Sequence, residues 1–179
     1  MRKQLSHTFY ARDAEKVARE LLGKYLCIQN ANGSTKRYVI WETEGYVGPQ
    51  DKASQAYGGR KTPRNEVMFG KAGYWYVYFT YGMHHMVNII TDKEGYPSAV
   101  LLRGVGEWDG PGKLTRALGI DKDYNKKPAT KKSGMWIEES GIIVPKKEIK
   151  KTPRIGIPRA EEWVEKPLRF VWEEFKQGK

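Results

Sequence analysis

The chain of 179 residues has one cysteine, three histidines and a deficit of acids. It also lacks any apolar run near the roughly 18 residues that a membrane-spanning helix needs. Each scarcity removes a class of protein. A single cysteine, Cys27, can form neither a disulfide framework nor a thiolate metal cluster. Flanked by Tyr25, Leu26 and Ile28, it reads as a buried strand residue. His84 and His85 are adjacent and would point to opposite faces of a strand, and His7 is remote. His and Cys ligands at metal spacing are therefore missing, and no metal is expected. The N-terminal MRKQLSHTFYARD has no apolar segment of the kind a signal peptide carries. An intracellular protein is expected, in the cytoplasm and nucleoid or, in a eukaryote, the nucleus.

The acids number 21 against 32 Lys and Arg, a formal net charge of +11. Such a surplus favours a polyanionic partner, with nucleic acid the default. Net charge alone speaks to non-specific binding, so a merely cationic protein stays open as the alternative. What the chain has in quantity is aromatic surface: eleven Tyr and six Trp in an otherwise polar sequence. Rings of this kind supply stacking platforms for bases. The length suits one domain spanning 1–179, large enough to bury a core without staples.

The pattern predicts a helix over Asp13–Leu22, with Asp13 as N-cap, Val17, Ala18, Leu21 and Leu22 inward, and Gly23 as the stop. Strands are expected at Tyr25–Gln29 and Arg37–Glu44 around the turn 30–34. Strict alternation would put Tyr38, Ile40, Glu42 and Glu44 on one face of the second strand, and Val39, Trp41 and Thr43 on the other. Tyr74–Thr80 and His84–Ile90 read as a hairpin turning at Tyr81-Gly82-Met83, followed by a strand at Ala99–Arg103. Pro111 starts a short helix with Leu114, Ala117 and Leu118 inward, and Gly119 ends it. The Lys-rich stretch from Asp121 to Ser133 reads as a mobile surface loop. Further strands are expected at Met135–Glu138, Ile142–Val144, Arg154–Ile157 and Leu168–Trp172. Strands outnumber helices with few βαβ spacings, so the fold class is α+β on a curved, mostly antiparallel sheet.

Two familiar chemistries drop out. Gly110-Pro111-Gly112-Lys113-Leu114-Thr115 lacks the first glycine of a phosphate loop and has Leu114 at the hydroxyl position. No Ser or Cys sits in a nucleophile-elbow pattern. The chemistry-bearing stretch runs from Trp41 to Asn65, WETEGYVGPQDKASQAYGGRKTPRN, and is followed by YVYFTYGM at 76–83. It sets Glu44 two residues before Tyr46 at a strand end, where working residues sit on rigid support. A Gly/Pro loop then leads to Arg60, Lys61, Arg64 and Asn65. Glycosidic hydrolysis needs a carboxylate beside a water, and flipped bases are held by stacking and edge hydrogen bonds. Taken singly, Glu44 could equally be a solvated strand-end acid, the tyrosines core packing, and Arg60, Lys61, Arg64 and Lys113 solvated charges rather than phosphate contacts.

The motifs ARDAEKVARELLGKYL, ETEGY, GGRKTPRN, YVYFTYGM, VNI, AVLLR, GPGKL and RIGIPRAEEWVEKPLRF, in this order, resemble the mammalian-type alkyladenine (3-methyladenine) DNA glycosylases over nearly the whole chain. The resemblance implies a compact single-domain fold without helix-hairpin-helix motifs, no metal or organic cofactor, and a monomer acting on double-stranded DNA that contains damaged purines. Glu44 falls on the general base that deprotonates a water attacking C1′. Arg103 falls on the arginine that holds this water and the neighbouring phosphate, and Ile155 on a backbone carbonyl that completes the cage. Tyr46 and Tyr78 match the aromatics that sandwich the base, and Asn88 matches the residue that crowds the 2-amino group of guanine. Tyr81 matches the wedge that enters the duplex. Arg60, Arg64, Met83 and Lys113 are the expected backbone contacts. Gln55 stands where the family usually carries histidine; it keeps the backbone amide that meets the base edge and loses the imidazole wall.

Glu42 lies on the same face as Glu44, roughly 7 Å away at the strand rise, but an N-alkylated purine is already cationic and leaves without an acid. The expected reaction is monofunctional removal of alkylated, and also deaminated, purines to leave an abasic site. Two alternatives stay open: a glycosylase/lyase working through a lysine Schiff base, and a damaged-DNA binder without catalysis.

Overall fold

The structure, a computed structural model, describes residues 2–80 and 82–178. Among these, the helices are α1 (His7–Tyr10), α2 (Ala14–Glu20), α3 (Pro111–Leu118) and α4 (Glu173–Gln177). The strands are β1 (Tyr25–Gln29), β2 (Thr35–Tyr46), β3 (Trp75–Thr80), β4 (His84–Ile90), β5 (Ala99–Val105), β6 (Trp108–Asp109), β7 (Met135–Glu138), β8 (Ile149–Thr152) and β9 (Arg169–Trp172). They form one sheet in the order β3-β4-β5-β2-β1-β7, with β6 on β5, β9 on β2 and β8 on β9. Every pairing is antiparallel. The α+β class with an open antiparallel sheet and short helices is the one the sequence predicts.

The helix α2 begins as expected, with the Asp13 carboxylate accepting from the Lys16 N–H at 3.0 Å. Its inward residues Val17, Ala18 and Leu21 are fully buried against Ile40, Val100 and Leu102 of the sheet. Burying a Val or Leu side chain contributes about 1.5–3 kcal/mol, so this small face holds the helix down. Gly23 ends it at φ +83, where a Cβ would also meet Val144 Cγ2 at 2.9 Å. The other helix, α3, has Pro111 in its first turn and Gly119 as a left-handed C-cap. Its inward set differs from the expectation. Ala117 is exposed, and Thr115 is buried instead, donating its hydroxyl to the His85 carbonyl at 2.9 Å. Facing a strand rather than another helix, this position meets an unused carbonyl that a hydroxyl can satisfy.

The central pair β2–β5 departs from strict alternation. Its register runs Ile40↔Val105, Glu42↔Gly104, Thr43↔Leu102, Glu44↔Leu101. Trp41 is therefore an extra residue on β2, and Arg103 an extra residue on β5, two offsetting bulges one pair apart. Their effect is to turn Thr43 to the same side as Ile40, where its hydroxyl donates to the Ala18 carbonyl of α2 at 2.8 Å. Glu42 and Glu44 keep a common face, as expected, but Ile40 does not share it. Gly104 has to be small here, because a Cβ would come within 2.6 Å of the Trp41 ring. Bulges of this kind re-aim side chains beside working sites.

Other expectations are corrected. Ile142–Val144 forms no strand and Ile143 is 89% exposed; the outer edge of β7 is already taken by the N-terminal segment, through Leu5 N–H to the Ile137 carbonyl. Arg154–Ile157 is not a strand either, because side-chain partners described below replace its ladder. The strands β6 and β8 and the helices α1 and α4 are not anticipated; all are too short for periodicity to reveal. Residues 121–133 are tied down rather than loose. Asn125 accepts from the Val77 N–H, the Lys127 carbonyl accepts from Trp75, and Ala129 is core.

Candidate active site

The last residues of β2 lie between β5 and β9, so Glu44 is fully buried. A carboxylate removed from water favours its neutral form, and burial indeed pushes the Glu44 pKa above the ordinary carboxylate range. Four groups oppose that push. Arg103 Nε lies 3.4 Å from Oε1, the Ile155 amide N–H donates to Oε1 at 2.8 Å, and the Tyr46 hydroxyl donates to Oε2 at 3.0 Å. The fourth is the Arg154 charge. Burial wins in direction, which leaves a carboxylate more basic than a solvated one. Burial also holds the Tyr46 phenol in its neutral, donating form, helped by the adjacent Glu44.

Glu42 is tied down instead. Arg103 Nε donates to its Oε1 at 3.1 Å and Arg169 Nε to the same oxygen at 2.6 Å. Arg103 thus bridges the two carboxylates, a placement that follows from its bulged position on β5.

Above Glu44 opens a cavity of about 350 Å³, within the roughly 300–1,000 Å³ usual for small-molecule sites. Tyr46, Gln55, Tyr78, Asn88, Arg103 and Ile155 all line it. Glu44 lies just behind the wall, touching three of these residues. The sheet accounts for the convergence: Tyr46 ends β2, Tyr78 and Asn88 come from the β3–β4 hairpin, and Arg103 from β5. The Tyr78 ring packs against Tyr76 at a centroid distance of 5.0 Å with the planes tilted by 36°, and the Arg64 guanidinium lies 5.1 Å from the Tyr78 ring centroid. Asn88 is buried and donates to the Tyr76 carbonyl at 3.1 Å. Gln55 is exposed; its side-chain oxygen accepts from the Tyr76 hydroxyl at 2.7 Å and its carbonyl accepts from Asn65 at 2.8 Å. Ile155 contacts Glu44 through its N–H, a bond that the sequence reading, which assigned its carbonyl to the attacking water, did not include.

The expected DNA-backbone residues are less uniform. Arg60 and Met83 are exposed. Lys113 is exposed and ion-paired to Asp109 at 2.8 Å, while Arg64 donates to the Phe79 carbonyl at 3.0 Å and so braces the pocket wall. Tyr81 lies outside the described residues.

Sequence reasoning missed Arg154, Asp51 and Arg169. Arg154 and Asp51 form a buried pair behind Tyr46, and Arg169 anchors Glu42. Arg154 directly precedes Ile155, and Asp51 follows the Gly48-Pro49 turn, so both lay within stretches already singled out. Nothing in a single sequence says that residues 103 positions apart will pair. Met68, Met86 and Leu101 also line the cavity and were not singled out from the sequence.

A buried, hydrogen-bonded carboxylate behind an aromatic-walled cavity is an arrangement suited to an enzyme of the hydrolytic kind. The chain belongs to the methylpurine-DNA glycosylase family, whose model matches residues 8–109 and 106–176. Relatives carrying the name "Putative 3-methyladenine DNA glycosylase" cover most of its length. One from Desulfitobacterium hafniense (strain Y51) is 39% identical over 96% of this chain and 96% of its own. One from Myxococcus xanthus (strain DK1622) is 41% identical over 93% and 88%, and one from Sodalis glossinidius 43% over 86% and 89%. Among the described residues, no helix is long and apolar enough to cross a membrane.

Proposed function

We propose that the cavity receives a damaged purine rotated out of duplex DNA, and that Glu44 activates the water that hydrolyses its N-glycosidic bond. The chain is a DNA glycosylase of the alkylpurine type, acting in base-excision repair. The observation that carries the mechanism is the fully buried Glu44, held by three residues that themselves wall the cavity.

Extruding a base costs a few kcal/mol of stacking and pairing. The Tyr46 and Tyr78 rings offset part of that cost, and an N-alkylated purine, being cationic, gains roughly 0.5–2 kcal/mol over such a face. A cationic base departs without protonation, so one carboxylate suffices, and Glu42 is free to serve as an anchor for Arg103. Glu44 takes the proton of a water directed at C1′, and its charge stabilises the oxocarbenium-like transition state. Arg103 and the Ile155 backbone orient that water. Asn88 crowds the edge where guanine carries its 2-amino group, and Gln55 presents its backbone amide to the base. Tyr81 fills the vacated stack, while Arg60, Arg64, Met83 and Lys113 hold the DNA backbone. The reaction as written needs no metal or organic cofactor, and one chain supplies every group, so a monomer suffices. Hypoxanthine, a deaminated purine, is expected as a further substrate.

The lyase alternative needs a lysine at C1′; among the described residues lining the cavity none is lysine. The test is a base-release assay over duplexes carrying 3-methyladenine, 7-methylguanine, hypoxanthine and ethenoadenine, run with and without borohydride. Free base with no trapped adduct is the expected result. A covalent DNA adduct, or lesion binding without release, would refute the reading.

A further inference from the structure

Behind Tyr46 lies a charge pair that the mechanism above leaves unused. The Arg154 and Asp51 side chains are both 0% exposed, joined Nη1 to Oδ2 at 2.6 Å and Nη2 to Oδ1 at 2.8 Å. Arg154 Nη1 also donates to the Gly45 carbonyl at 2.9 Å, and the guanidinium carbon stands 4.7 Å from the Tyr46 ring centroid. Asp51 accepts further from the N–H groups of Val47 and Ala53, at 3.2 and 3.0 Å. The pair thus ties three things together: the end of β2, the loop that carries Gln55, and the segment that carries Ile155.

Stability is a poor reason for such a pair. Removing two ions from water costs several kcal/mol each, and well-packed apolar replacements often do as well or better. Arg154 Nε adds to the cost, since it is buried and has no hydrogen-bond partner among the described residues. What the pair does touch is the support of Glu44. Tyr46, under the guanidinium, donates to one carboxylate oxygen, and Ile155, the next residue in the chain, donates to the other.

We infer that Arg154 is a positioning residue for Glu44, with Asp51 as its anchor: the guanidinium fixes the Tyr46 ring and the start of the Ile155 segment, and places positive charge behind the carboxylate. The inference rests on Glu44 being the base of the proposed reaction. The ionisable neighbours of Glu44 are Tyr46 on its own strand, Arg103 on β5 and Arg154 from the segment after β8, with Tyr78 beside Tyr46. Glu42 on β2 and Arg169 on β9 lie one step away. Arg103 divides its charge between two carboxylates, so Arg154 is a second source of compensation for Glu44, and it favours the ionised form.

The test compares wild type with the double variant Asp51→Asn/Arg154→Gln, which removes both charges at once and strands neither. Glu44 should titrate at higher pH in the double variant, followed directly by ¹³C NMR of carboxyl-labelled glutamate. Base release should fall about ten-fold at high pH through lost alignment and by more on the acid side, where the higher Glu44 titration removes the ionised base, while KM for lesion duplex stays little changed. An unmoved Glu44 titration, or a rate loss equal at every pH, overturns the inference. Wild type that releases no base would count against the proposed function alone, because the Glu44 titration still decides this point. Arg154→Lys keeps the charge but loses the two-pronged fork; it should leave the Glu44 titration in place while kcat drops about ten-fold through misalignment. If the double variant does not fold, an unchanged kcat in Arg154→Lys overturns the inference.

Discussion

Replacing Glu44 by Gln should abolish base release and at the same time make the protein more resistant to heat at neutral pH. The amide keeps the volume of the side chain; its oxygen can still accept from the Ile155 N–H, and its NH2 can donate to the Tyr46 hydroxyl oxygen in place of the bond now accepted from it. What it loses is the charge. A positioned general base is worth about 10²–10⁴ in rate, and loss of transition-state charge stabilisation adds to that, so single-turnover release should fall by at least about 10³. Lesion affinity should stay within a few-fold, because phosphate contacts and stacking dominate it. The stability effect has the opposite sign. Burial raises the Glu44 pKa above the ordinary carboxylate value despite Arg103, Arg154 and two hydrogen bonds. The unfolded value is about 4.3, so the folded state binds this proton more readily. Its contribution to stability is fully present below about pH 4.3, and it is lost as pH rises through the folded value. Above that value the ionised carboxylate weighs against folding, and Gln removes the penalty. Neither arginine is stranded, since Arg103 keeps Glu42 and Arg154 keeps Asp51. Each ~1 kcal/mol gained would read as about 2–4 °C in Tm for a chain of this size. The assay is a pair of thermal melts from pH 4 to 8 alongside single-turnover kinetics. A Tm advantage that grows with pH is expected; a lower Tm for the variant at pH 7, or release near the wild-type rate, would refute the argument.

Three further substitutions test other parts of the site. Gln55→His should shift the substrate profile more than the best rate: the Tyr76 hydroxyl that bonds Gln55 can reach a ring nitrogen, and the added flat wall is worth about 1 kcal/mol. Hypoxanthine and ethenoadenine should gain more than 7-methylguanine in single-turnover rates, and a uniform change would remove position 55 from selectivity. Gly104→Ala drives a methyl into the Trp41 ring. It should cost about 1–3 kcal/mol and lower kcat by displacing the neighbouring Arg103, measured by denaturant melts and base release; a neutral variant would mean that the bulge yields freely. Tyr81→Ala should harm release from paired lesions more than from the same lesion in single strands, because a wedge offsets unstacking that a single strand does not require. Equal losses on both would make Tyr81 a packing residue.

Local signals carried most of the fold. Asp13 and Gly23 bracket α2 because capping and left-handed termination are short-range chemistry, and the β3–β4 hairpin is legible because its two strands meet across one turn. The same holds for the candidate site: Glu44, Tyr46, Gln55, Tyr78, Asn88, Arg103 and Ile155 were all named from motifs that carry the family resemblance, and strands and loops bring the last six to line one cavity with Glu44 just behind its wall. Tertiary structure alone decided the rest. A bulge is a mismatch between two strands about sixty residues apart, so the extra Trp41 and Arg103, and the turning of Thr43 toward α2, have no signature in either strand by itself. Arg154–Ile157 reads as a strand by composition, yet it forms none because Asp51 and Glu44 capture its side chain and its N–H. The sequence by itself offered the residues that could do the chemistry; long-range pairing determined that Glu42 became an anchor, Glu44 a fully buried carboxylate, and Arg154 a charge close behind it. The physical reason is that a side chain's role here depends on what solvent and which partners reach it, and both are set by segments far away along the chain.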